Sequence, residues 1–187
     1  MSLILYFLII ISLVVLAIKW RKKSKILSLL LISPIIIILC LIGFVVYNSW
    51  YYTSPDSITM SVENEKQTYI LNGEWVKPLD FYRFSTDFIV FYIPNNTKLS
   101  NVIRNTYQDY SEMDYKDLET NIHQYLIEVG APNLPAQIFD IEASKKFQFR
   151  FDLPTNLKRE DITAYYVHIR EEPMDSLEFW YKQIEFH

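Results

Sequence analysis

Two uncharged apolar runs open the chain, and alternating patterns replace them afterwards. Residues 2–18 (SLILYFLIIISLVVLAI) and 26–47 (ILSLLLISPIIIILCLIGFVVY) carry no charge. A bilayer core of about 30 Å needs about 20 apolar residues, with about 17 as the lower limit. The second run exceeds that length. The first meets it, and Lys19 and Trp20 extend it by snorkelling and interfacial anchoring. The pattern predicts a transmembrane hairpin over residues 1–47, with helices at about 2–18 and 26–47. Pro34 is a kink site within the second, where Ser33 can help satisfy the freed carbonyl.

After a linker at 48–56, period-2 alternation takes over. Ile58, Met60 and Val62 alternate with polar residues, as a half-buried strand does. Residues 67–71 and Trp75-Val76 flank Asn72-Gly73, which reads as a hairpin turn. A short strand is expected at 81–84. Residues 87–93 (DFIVFYI), closed by Pro94, read as a strand buried on both faces. The period then changes. Leu99, Val102, Ile103, Tyr107 and Tyr110 approach helical spacing, and Leu118, Ile122, Tyr125, Leu126 and Val129 match it. Two helices are therefore expected, at about 99–110 and 115–129. Asp114 would cap the second, and Gly130 with Pro132 would stop it. Strands return at 137–142, at 147–153 with Phe147, Phe149, Phe151 and Leu153 on one face, at 164–170 and at 177–186. The expected fold is a membrane-anchored α+β protein. A mainly antiparallel β domain at 57–187 carries a helical insertion at about 99–129.

Charge sets the topology. Between the apolar runs lie Lys19, Arg21, Lys22, Lys23 and Lys25, five cations in seven residues. Positive loops stay in the cytoplasm, so both termini and the β domain are expected outside it, at a plasma membrane. Trp20, Tyr47, Trp50, Tyr51 and Tyr52 fit the headgroup level, where amphipathic rings gather. The basic residues follow the first apolar run, the wrong order for a cleaved signal peptide. After Tyr47 the chain holds 13 of the 18 basic residues and all 22 acidic ones, a net of −9. That balance excludes nucleic acid, whose phosphates demand a surplus of Lys and Arg. It favours a basic protein or envelope partner. The single cysteine, Cys40, lies in the second apolar run and forms no internal disulfide.

One local stretch resembles a known architecture. Leu157-Lys158-Arg159-Glu160-Asp161 leads into Thr163-Ala164-Tyr165-Tyr166-Val167. This is similar to the corner of immunoglobulin-type sandwiches, where an acidic turn precedes a tyrosine whose hydroxyl bonds back to the corner. The resemblance implies a β-sandwich with Tyr165 in that place, and Val167 stands where antibody domains carry a cysteine. It covers about 13 residues and implies nothing about activity.

Candidate chemistry is sparse. His123 follows Glu119 by one helical turn, so the two could share a proton or a metal, but a solvated i,i+4 pair explains the spacing. His168 reads as an ordinary sheet residue, and His187 is terminal. Asp109, Glu112, Asp114, Asp117 and Glu119 lack the spacing and glycine of a calcium loop. The only glycines are Gly43, Gly73 and Gly130, too few for phosphate loops or a nucleophile elbow. Trp75, Trp180 and Tyr181 are a candidate glycan- or peptide-binding platform, because flat rings bury area at little entropic cost. Core packing is the plainer explanation of them. No catalytic, cofactor or metal residues are assigned. The expected function is a non-enzymatic, membrane-tethered binding module of the cell envelope. Two alternatives stay open: a small immunity or regulatory subunit acting on a toxin or another membrane protein, and an envelope-polymer enzyme needing a carboxylate pair.

Overall fold

The computed structural model describes residues 2–105, 116–154, 157–172 and 176–186. The chain divides into two compact units, Met1–Tyr51 and Tyr52–His187.

The first unit is two helices, α1 (Ser2–Trp20) and α2 (Lys25–Trp50). The basic residues lie at their junction, where Ser24 caps α2 by accepting from the Leu27 amide. Ser28 donates to the carbonyl of Ala17 at 2.9 Å, and both residues are buried there. Ile26, Leu29, Leu39, Leu41, Ile42 and Phe44 of α2 are exposed. So much apolar surface is stable only outside water. Among the described residues, α2 alone is long and apolar enough to cross a bilayer. In α1 the stretch with described side chains is Ile9–Trp20, about 18 Å at 1.5 Å per residue. One candidate span is thus found among the described residues where two were expected, and α2 continues three residues past Tyr47.

The second unit is an α+β domain with two antiparallel four-stranded sheets. Its strands are β1 (Ile58–Glu65), β2 (Thr68–Trp75), β3 (Thr86–Tyr92), β4 (Ser100–Arg104), β5 (Ala136–Glu142), β6 (Lys146–Asp152), β7 (Thr163–Glu172) and β8 (Ser176–Ile184). One sheet has the order β1-β2-β6-β4 and the other β5-β3-β7-β8. Helix α3 (Lys116–Glu128) stands between β4 and β5 in the chain. The sheets face each other across Leu71, Trp75, Ile89, Phe91, Phe149, Phe151 and Tyr166. The other side of β3 and β7 packs on Ile122 and Leu126 of α3 through Phe88, Val90 and Val167. The layers are therefore sheet, sheet and helix. That explains why β3 is buried at every position.

Three expectations fail for definable reasons. Asn72-Gly73 is not a turn. β2 runs straight through it, and the hairpin closes at Lys66-Gln67, where Lys66 takes a φ of 65°. Gly73 is there because the Phe147 ring lies over it; a Cβ would sit 2.2 Å from that ring. The helix expected from residue 99 is β4 over Ser100–Arg104. Its register shifts between Ser100 and Ile103, and this extra residue puts Leu99 and Val102 on the same side three positions apart. The remainder of that expected helix, and the Asp114 cap, lie outside the described residues. The strand expected at 81–84 is a loop making one bridge, Arg83 with Arg170. The second helix forms as its periodicity predicts. It stops at Gly130, which takes a φ of 100°.

Candidate functional site: a buried carboxylate–histidine cluster

The densest polar chemistry lies where the chain enters the domain. Asp87, the second residue of β3, is in phase with Ile89 and Phe91, so its carboxylate points between the sheets. His168 of β7 is in phase with Tyr166 and faces the same gap, one step beyond the Phe88–Val167 pair. Asp80 comes from the 76–85 loop that carries the chain from β2 to β3. All three are within 1% of complete burial. His168 Nδ1 lies 2.8 Å from Asp87 Oδ1, and Nε2 lies 3.2 Å from Asp80 Oδ2. A ring with a carboxylate on each nitrogen must donate from both, so it is an imidazolium.

The network continues outward. Tyr166 donates its hydroxyl to Asp87, and the Ile169 amide donates to the same carboxylate at 3.4 Å. Thr53, just before β1, donates to Asp80 at 2.7 Å and accepts from Trp180 Nε1 at 3.2 Å. Arg170 is 3% exposed, and its guanidinium lies 4.0 Å from the Tyr52 ring centre and 5.6 Å from that of Tyr82. Two carboxylates, an imidazolium and a guanidinium thus balance in charge. Lys182 closes the same end by donating to the carbonyls of Pro55 and Ile58 at 3.0 and 2.6 Å. Thr53 and Pro55, within the segment expected to be a linker, are thus bonded into the domain.

Electrostatics follow the geometry. Burial works against the His168 cation. The Asp87 charge and the hydrogen bonds to Asp80 and Asp87 outweigh it and push the pKa up to about 9. Burial also tends to raise Asp80, but hydrogen bonds from His168 and Thr53 hold its carboxyl below the ordinary 3.8. Tyr166 is pushed well above 10 by burial and by the Asp87 charge. Tyr92, bonded to His123 Nδ1 at 3.1 Å on the helix side, is pushed up to about 12, chiefly by burial.

Trp75, Trp180 and Tyr181 do not share a surface. Trp75 is 1% exposed and meets Trp180 edge-on at 5.6 Å, both against His168 at 5.0 Å. Tyr181 has the opposite strand phase and packs under α3 against Tyr125 and Tyr165. Tyr165 likewise faces α3. Among the described residues it makes no hydrogen bond to 157–161; its neighbour Tyr166 is the one whose hydroxyl is bonded between the sheets. Lys19, Arg21, Lys22, Lys23 and Lys25 gather at the α1–α2 junction, with Lys23 5.8 Å from the Trp20 ring centre. Tyr47 and Tyr51 stack at the end of α2 beside the exposed Trp50.

The cluster was readable only in part. Asp87 and His168 are polar residues in phase with the buried faces of the two central strands, a signal available in the alternation. Asp80 sits in a loop with no pattern to mark it. Chemically the arrangement is a lock: both ring nitrogens are occupied, so His168 has no free lone pair for base, nucleophile or ligand work. Among the described residues, no group of three or more His, Cys, Asp or Glu side chains is set to hold a metal. No family model, no curated protein and no solved structure matches this chain.

Proposed function

We propose that this chain is a two-span plasma-membrane protein. Its β domain stands outside the cytoplasm as a non-enzymatic binding module for a protein or envelope component. The observation that carries the reading is the join between anchor and domain. The spanning helix α2 runs to Trp50, and within three residues Thr53 is locked to Asp80 and Trp180. The first residues of the domain are thereby fixed to its own core. The 19-residue α1 would cross beside α2 and leave its basic junction in the cytoplasm. The net charge of −9 after Tyr47 favours a basic partner. The reading invokes no cofactor and no nucleic acid.

A photoactivatable residue placed in turn at Glu63, Asn101, Gln124 and Glu128, all exposed, tests it in intact cells. The expected result is a discrete adduct from neighbouring positions that weakens as salt is raised. Adducts that form equally from every position, or with cytoplasmic proteins, would overturn the reading.

A further inference from the structure

We infer that the 76–83 loop is a lipid-binding tip that rests on the anionic headgroup surface of the bilayer. This deepens the proposed function and rests on α2 being a membrane anchor.

Three observations lead to it. The loop belongs to the end of the domain where the chain arrives from α2. Thr53 bonds Asp80, and the amides of Val76 and Lys77 donate to the Ser57 carbonyl at 2.9 and 3.4 Å. The loop is thereby hydrogen-bonded to Thr53, which follows the end of α2 by three residues. The loop's exposed side chains are Val76, Lys77, Pro78, Phe81 and Arg83, with Val76 59% and Phe81 58% exposed. All are apolar or cationic. Its one acid, Asp80, is buried with its charge answered by His168. Exposed Lys145 adjoins, its carbonyl accepting from the Trp75 amide. In a domain that is otherwise acidic, this sign and mixture single out an anionic, partly apolar surface. Aromatic and aliphatic side chains enter the headgroup layer while Lys and Arg meet lipid phosphates. A basic protein partner would be repelled by the same cations.

The test uses the full chain in a Cys40→Ser background, reconstituted into phosphatidylcholine vesicles with and without phosphatidylglycerol. An environment-sensitive fluorophore is attached at Phe81→Cys, at Lys77→Cys with Phe81 intact, at Ile103→Cys on β4 and at Trp50→Cys at the end of α2. Quenching by a headgroup-proximal nitroxide lipid is compared with quenching by a water-soluble nitroxide. The expected result is a several-fold higher lipid-to-water quenching ratio at 77 and 81 than at 103. Phosphatidylglycerol should increase that ratio, and Lys77→Glu with Arg83→Glu should abolish the increase. Equal ratios at 77, 81 and 103, with 50 still quenched from the lipid, would overturn the inference and leave the anchor standing. A label at 50 that only the aqueous quencher reaches would overturn both.

Discussion

Tyr165 and Tyr166 differ by one residue, and the strand period sends their hydroxyls to opposite faces. Tyr166 lies between the sheets and donates to Asp87; Tyr165 packs its ring against Tyr92 and Tyr181 beneath α3. Tyr166→Phe leaves a buried carboxylate oxygen without its donor and should cost about 1–3 kcal/mol. Tyr165→Phe should cost a few tenths at most, on the order of a surface change. Urea denaturation of the detergent-solubilised chain measures both, and equal losses would contradict the assigned faces. The corner resemblance pointed to Tyr165 because local sequence gives the turn but not which strand face meets the second sheet. His168 supplies a second test at this scale. Its pKa is about 9 folded against 6.5 in the reference state, which corresponds to on the order of 3 kcal/mol. The sign is that of a raised cation: the stabilisation is complete below 6.5 and is lost as pH rises through about 9. Asp80, with its pKa lowered, works in the other direction. Its contribution is present above 3.8 and fades as pH falls through the depressed value. Denaturation midpoints should thus be highest between about 4 and 6.5 and fall toward pH 9. In His168→Gln the alkaline part of that decline should disappear. A midpoint flat from pH 6 to 9 in the unaltered chain would contradict an imidazolium in the core.

Among the elements, Gly73 shows how a residue type misleads when its partner is unseen. Asn72-Gly73 carries the usual hairpin signal, yet the glycine has an ordinary extended backbone inside β2, opposite Phe147 in the register. Its missing side chain makes room for that ring, which in turn stacks on Tyr166 at 5.5 Å, nearly parallel. Gly73→Ala should therefore cost about 1–3 kcal/mol by overpacking. In a Phe147→Leu background the same change should cost clearly less, since the clashing ring is gone. A Gly73→Ala change without effect in either background would show that the ring is free to move aside. Elements with clear patterns were legible: the Phe147, Phe149 and Phe151 face, the fully buried β3, and α3 with its glycine stop. β4 was not, because a bulge converts period 2 into a spacing of three and so imitates a helix. Which strands pair, and which sheet the helix covers, are set by contacts distant in sequence and left no local trace.

For the whole molecule, a basic junction between apolar helices and an acidic domain after them imply one orientation. On the proposed orientation the cations at Lys19, Arg21, Lys22, Lys23 and Lys25 would stay in the cytoplasm, and the domain would be carried across. The proposed binding role and the lipid-binding tip both follow from that arrangement. Single cysteines at Lys22 and at Lys98, both exposed, in a Cys40→Ser background test it most directly with a membrane-impermeant thiol reagent on intact cells. The account predicts labelling at 98 without permeabilisation and at 22 only after it. Labelling at 22 in intact cells, with 98 protected until the membrane is opened, would contradict the orientation and the extracytoplasmic role built on it.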